Sequence, residues 1–326
     1  METAIGLCDA SGLPVHVVDR PSFPPWRTGT IADTSLRRIT DIVPETQITR
    51  KLRVSLPAAL LSSRKASGPI VEQVLNDIAQ CYDSLLVIDF DPFAEITAPA
   101  NATHWFDEID DFSKHRRMPG RDRRAFAAKR ARGHAIHTAS SLESTVGDSI
   151  PNWVFTPIAP TAEDGCTPYE FGYIGYVDNK IDIDLVARLA AVGPMGIWGN
   201  ILDAEVERKL SEIPGISLMG EFCAPDLQGI MAQFRIGVIP FLLDRIHGNS
   251  PIKYYQYSAA HKPCLSTSAF GLKRDNLLVI DAAGLGDALA RVPMLDAAAW
   301  SEVTRQNNQG KDLFEARLKT EIERMP

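Results

Sequence analysis

The sequence predicts an α/β protein made of two doubly wound halves, each a mainly parallel sheet with helices on both faces. Three observations carry this. Short apolar or β-branched runs alternate with segments of helical period along most of the chain, which is the pattern of parallel strands joined by helical crossovers. The alternation breaks once, in the Pro-, Gly- and acid-rich stretch PTAEDGCTPYE at 160–170, and then restarts. At 326 residues the chain has room for two domains of ordinary size.

In chain order, LPVHVVD (13–19) alternates and reads as a buried strand. The helical pattern IVEQVLNDIAQCY precedes a second strand, SLLVIDFD (84–91). ATHWFDEID (102–110) is a third strand, followed by a long basic helix, and HAIHTAS (134–140) and WVFTPIA (153–159) are the fourth and fifth. After the break, YEFGYIGYV (169–177), MGIWG, GISLMGEF, IGVIPFL, PCLSTS and NLLVIDA read as strands. The helices DIDLVARLAAVG, DAEVERKLSEI, DLQGIMAQFR and PIKYYQYSAAHK separate them, and a polar helix at roughly 311–324 ends the chain. The expected domains are 1–160 and 161–326, with the last helix able to pack back on the first domain.

Composition narrows the function. A hydrophobic fraction of 45% and a charged fraction of 23% are those of a globular protein. No run approaches the ~18 apolar residues that span a bilayer, and the N-terminus lacks the basic and apolar regions of a signal peptide. Cys8, Cys81, Cys166, Cys223 and Cys264 are scattered without a CxxC pair, which favours reduced thiols over a zinc site. A net charge of −7 argues against nucleic acid. Yet nine Lys or Arg face one acid between Lys114 and Arg132, among them Arg116, Arg117, Arg121, Arg123 and Arg124. Arg50, Lys51, Arg53, Arg64 and Lys65 enclose the apolar LPAALL. Such clusters suit an anionic membrane surface, and they read equally as solvated helix faces.

In open parallel sheets ligands bind beyond the carboxyl ends of the strands, so the residues that follow each strand are the candidates. Gly172 and Gly175 flank one strand end, with a helix starting near Asp182; glycines there let backbone N–H groups approach a phosphate, or simply make a tight turn. Glu221 and Phe222 follow another strand and offer a nucleobase an acid and an aromatic face, or pack as an ordinary loop. Asn249 or Ser250 caps the helix of SPIKYYQYSAAHKP, with Pro251 at its first position. Lys253 then lies in the first turn, where a cation costs about a few tenths of a kcal/mol unless an anion is bound. Gln256 lies over the same face, where its amide suits sugar hydroxyls. HWFDEIDDFSKH places Asp107, Glu108, Asp110 and Asp111 at a strand end, as a general base or as helix caps. His134 and His137 read as structural. A GxGxxG fingerprint, a Walker loop and HExxH are all missing, which disfavours a dinucleotide oxidoreductase.

At these residues the chain resembles the GT-B glycosyltransferases. YIGYVD, ISLMGEF…DLQGIMAQFRIGVIPF and NSPIKYYQYSAAHKPCLSTS follow the donor-binding domain of the family 4 type, including teichuronic-acid-type enzymes, over roughly 170–270. GLPVHVVDRP and HWFDEIDDFSKH resemble the first domain more loosely. Family 4 members carry Glu where this chain has Gln256 and Gly248. The pattern K–x–x–Q–Y, with GE and IPF upstream, resembles the xanthan-pathway glucuronosyltransferase instead. The resemblance implies two Rossmann-like domains facing a cleft, with the first domain lacking its opening strand. It assigns Gly175 and Val177 to a donor loop and Glu221 and Phe222 to the base. Phe241, Ser250, Lys253 and Gln256 go to the sugar and phosphates, and Asp110 (or Asp111) becomes the catalytic base. It further implies a UDP-sugar donor, with UDP-glucuronate as one candidate, and no metal cofactor. The acceptor would be a lipid-linked saccharide or polysaccharide, and the site of work the cytoplasmic face of the inner membrane. Transfer would be inverting, or retaining if the family 4 likeness is the truer one. The rival expectation is a non-catalytic nucleotide-sugar-binding or scaffold subunit.

Overall fold

The computed structural model describes residues 16–18, 34–38, 47–50, 72–73, 75–89, 96–108, 120–131, 135–137, 150–154, 158–161, 167–246, 250–280, 284–292 and 295–323. The chain forms two compact units, one of 1–138, 143–150 and 312–326, the other of 139–142 and 151–311. Both contain parallel sheet and helix, an α/β architecture.

In the first unit, β1 (His16–Val18), β2 (Thr34–Arg38) and β3 (Gln47–Arg50) form an antiparallel sheet in that order. The run 13–19 is thus a strand, but not part of the expected parallel sheet. Alternation marks a strand but does not choose its partner. A separate parallel sheet holds β4 (Leu85–Asp89), β5 (Ala102–Glu108) and β6 (Ala135–His137). The basic helix α1 (Gly120–Ala131) precedes β6 and covers this sheet through Phe126, whose ring meets Phe106 edge-on at 6.0 Å. Lys129 of α1 is buried over the Phe106 ring and pairs with the buried Asp89.

The second unit matches the sequence pattern more closely. Six parallel strands, β7 (Tyr169–Ile174), β8 (Met195–Trp198), β9 (Ile216–Gly220), β10 (Phe234–Ile239), β11 (Cys264–Ser266) and β12 (Leu277–Val279), lie in the order β12-β11-β10-β7-β8-β9. Chain order reverses between β7 and β10, which is the switch point of a doubly wound sheet. The helices α2 (Ile183–Ala190), α3 (Ala204–Ser211), α4 (Leu227–Met231) and α5 (Ile252–Ala259) cross between strands. Asp182 and Asp203 cap α2 and α3 by accepting N–H groups of the first turn.

A row of glycines crosses the middle of this sheet. Gly237, Gly172 and Gly196 are register partners on β10, β7 and β8. A methyl group at these positions would lie within 2.4 Å of the rings of Tyr257, Phe234 and Trp198 respectively. The sequence suggested that Gly172 marks a strand end; it lies inside β7, where its missing side chain admits Phe234.

The expected strand 153–159 is not one in its described residues. The peptide at Ala159 is held by the Gln228 amide instead, which accepts its N–H at 2.8 Å and donates to its carbonyl at 3.2 Å. Two further helices close the chain. α6 (Leu285–Ala290) was not foreseen, and α7 (Ala297–Glu323) is much longer than the expected 311–324. The weak helix formers Thr304, Asn307, Asn308 and Gly310 obscured its first half. Among the described residues no helix is long and apolar enough to cross a membrane.

Candidate functional site

The site grows from the loops that follow β7, β8 and β9. Gly175 ends β7 with φ +116°, and Gly199 ends β8 with φ +143°. A Cβ on Gly199 would fall 2.0 Å from the Gly175 carbonyl oxygen, so the two loops pass backbone to backbone. Ladder-like bonds persist past the strands. Gly175 N–H donates to the Trp198 carbonyl at 2.9 Å, Val177 N–H to that of Asn200 at 3.0 Å, and Gly199 N–H to that of Gly220 at 2.7 Å. A register shift between β8 and β9 directly precedes Gly199 and turns this edge. The loops border a half-open pocket of about 310 Å³ lined by Gly175, Tyr176, Gly199, Asn200, Glu221 and Phe222. It combines a carboxylate and a carboxamide with two aromatic rings.

Helix α5 brings a cation to the same edge. Where β7 and β10 diverge, the Tyr257 hydroxyl accepts the Ile174 N–H at 3.1 Å and donates to the Val238 carbonyl at 3.3 Å. One phenol therefore bridges the gap between the two strands and pins α5 to it. Tyr254 and Ser258 anchor the far side of the helix through Asn276, at 2.9 and 2.8 Å. Lys253, the second residue of α5, is half-buried. Its ammonium lies 4.8 Å from the Tyr173 ring centroid and 4.7 Å from that of Phe241. It donates to Tyr173 Oη at 3.3 Å, and a Cβ on Gly175 would sit 3.4 Å from it. Among the described residues it has no carboxylate partner within 4.0 Å. Burial pushes its pKa down to about 8 and neighbouring Lys180 adds repulsion, which Asp178 and the Cys264 thiol partly offset.

The structure thus brings together Gly175, Glu221 and Phe222 around the cavity, with Lys253 beside Gly175 and Phe241 beside Lys253. Val177 is buried and bridges to Ile201. Gln256 is buried one turn along α5, at 8% exposure. Two local expectations are corrected. Ser250 does not cap α5: the cap position falls on Pro251, whose ψ of 115° delays the helix to Ile252 and which makes no side-chain cap bond; the other candidate, Asn249, lies outside the described residues. The Ser250 hydroxyl meets Tyr255 Oη at 3.2 Å in the core. The N-terminus of α2, expected to face an anion behind Gly175, is already occupied by the Asp182 carboxylate.

Asp110, Asp111, Arg116 and Arg117 lie outside the described residues, and Arg121 is described by its backbone alone. Arg123 and Arg124 are exposed on α1. No group of three His, Cys, Asp or Glu among the described residues is placed to hold a metal. Sequence reasoning missed Tyr173, Tyr176, Tyr257, Gly199 and Asn200. Gly199 and Asn200 had a signal, since they directly follow MGIW at a strand end. The tyrosines had none, because only the sheet order reveals which strands part at the switch point.

No protein-family model matches the chain, and no curated protein matches it in sequence. Among solved structures it is similar to AviGT4, a glycosyltransferase involved in avilamycin A biosynthesis, with a TM-score of 0.53 and 12% identity over 79% of this chain and 78% of that one. It also matches the lipopolysaccharide outer core galactosyltransferase WaaB in its apo form, with a TM-score of 0.39 and 14% identity over 81% of this chain and 76% of that one. At 12% identity, the likeness to AviGT4 is one of fold.

Proposed function

We propose that this chain is a glycosyltransferase whose second unit binds a nucleoside-diphosphate sugar. One observation carries the reading: a half-buried ammonium with no carboxylate partner among the described residues stands beside a glycine turn at a sheet switch point. A diphosphate is the ligand that suits it. The N-terminus of α5, where Pro251 makes no side-chain cap bond, adds partial positive charge on the same side. The adjoining cavity, with Glu221, Asn200, Tyr176 and Phe222, would take the nucleoside. Support for group transfer comes from the fold likeness to AviGT4, itself named a glycosyltransferase.

The finer reading is a UDP-sugar donor and a lipid-linked or polysaccharide acceptor met at the inner membrane face. Asp110, with Asp111 beside it, would take the proton of the acceptor hydroxyl as that oxygen attacks the anomeric carbon. The bond to the diphosphate breaks, configuration inverts, and Lys253 stabilises the departing charge. Arg116, Arg117, Arg121, Arg123 and Arg124 would hold the anionic acceptor or the membrane. Gln256, neutral where family 4 enzymes carry Glu, suits a uronic-acid donor that brings its own carboxylate. The test is calorimetric titration with UDP, alongside UDP release from a panel of UDP-sugars. Binding lost in Lys253→Met, with turnover lost in Asp110→Ala while UDP binding persists, is the expected result. Binding without turnover on any donor and acceptor would favour the non-catalytic subunit, and no UDP binding at all would overturn the reading. The anomeric configuration of the product, read by NMR, decides between inversion and retention.

A further inference from the structure

We infer that Tyr173 is a positioning residue of the anion site, tying the Lys253 ammonium to the glycine loop through its hydroxyl. The inference rests on the proposed diphosphate reading. Tyr173 is almost wholly buried, at 1% exposure, and its ring lies under Lys253. Its hydroxyl has one proton, which it donates to the Tyr176 carbonyl at 2.6 Å. An oxygen lone pair then accepts from Lys253 Nζ at 3.3 Å. No other hydrogen bond to this ammonium occurs among the described residues. One phenol oxygen therefore fixes both the cation and the turn Gly175–Val177 that borders the cavity. Burial, reinforced by Asp178, pushes the phenol's own pKa well above its ordinary value, so it stays a protonated donor throughout the neutral range.

This arrangement does something a filler aromatic would not. An acceptor on the charged form favours the ammonium, and so offsets part of the burial that drives Lys253 downward. The other groups facing Lys253 are Lys180, Asp178 and Cys264, and none of them is hydrogen-bonded to it. Phe241 supplies only a ring face.

The experiment is UDP titration of the full-length protein over pH values on either side of the Lys253 pKa of about 8, for the native chain, Tyr173→Phe and Lys253→Met. Tyr173→Phe keeps the ring and removes both hydrogen bonds. It should weaken UDP about 10-fold, as loss of a charge-assisted hydrogen bond does. The pH at which affinity breaks should also move downward. A purely structural role would leave that break in place, or raise it by letting water in. An unchanged affinity and break in Tyr173→Phe, with UDP weakened by Lys253→Met, sinks the Tyr173 inference and leaves the diphosphate reading standing. Unchanged binding in Lys253→Met sinks the diphosphate reading itself. Should Tyr173→Phe fail to fold, 3-fluorotyrosine at 173 keeps the ring and both bonds with a weaker acceptor. A smaller downward shift is then expected, and no shift overturns the inference.

Discussion

Lys253 shows how one residue carries a testable charge argument. Its pKa is pushed down to about 8, so in the free protein the ammonium is fully present below that pH and is lost above it. UDP binding favours the charged form, so affinity should be greatest below about 8 and should fall as pH rises through it. Near and above that pH, binding should take up protons, seen as a dependence of the calorimetric enthalpy on the ionisation enthalpy of the buffer. A flat profile would mean that the ligand does not meet this amine. Gly199 gives a second prediction at this scale. Its φ of +143° and the 2.0 Å approach of any Cβ to the Gly175 carbonyl both exclude alanine. Gly199→Ala should destabilise by roughly 2–4 kcal/mol in denaturant titration and should displace the cavity loop. The oddity of Lys253 was legible, because a lysine in the first turn of a helix is poorly placed without an anion. Its partner Tyr173 was not, because a tyrosine inside a strand looks the same in sequence whether its hydroxyl is idle or bonded.

At the scale of elements, the site depends on how closely α5 lies on the sheet. Gly237 lets the Tyr257 ring lie flat against β10, within 2.4 Å of where a methyl group would be. Its hydroxyl then satisfies the buried Ile174 N–H and Val238 carbonyl where β7 and β10 part. Tyr257→Phe preserves the ring and leaves that N–H unpaired, a cost of about 1–3 kcal/mol. Chemical denaturation should show this loss, and hydrogen exchange should show Ile174 as newly exposed; full protection at Ile174 would mean that another group bonds it. The elements around α5 were readable where amphipathic period and capping agreed, as in α2 and α3 with Asp182 and Asp203. They were unreadable where tertiary contacts override local preference. The peptide at Ala159 satisfies itself on a side-chain amide rather than a strand, and the first half of α7 is helical despite Thr304, Asn307, Asn308 and Gly310. β1 has the alternation of a buried strand yet pairs antiparallel, because strand period does not specify the partner.

For the molecule as a whole, alternation of strand and helix fixed the class but not the order of strands. The order β12-β11-β10-β7-β8-β9 is what gathers residues from 173, 199, 221 and 253 at one edge. If that edge is the ligand site, UDP should protect amides locally: those of Gly175–Val177, Gly199–Leu202 and the first turn of α5 should exchange more slowly. The β4–β6 sheet of the first unit, which contributes none of the residues assigned to the nucleotide, should change little. The same ligand should raise the thermal midpoint by mass action. At 100 times its Kd, binding is worth about 2.7 kcal/mol to the unfolding of the second unit, which holds the site. Lys253→Met should lose the thermal shift and the protection together, because both follow from one binding free energy. Protection confined to β4–β6, or a thermal shift that survives in Lys253→Met, would place the nucleotide elsewhere. The switch point between β7 and β10 would then be structural, its glycines serving only the packing of Phe234 and Tyr257.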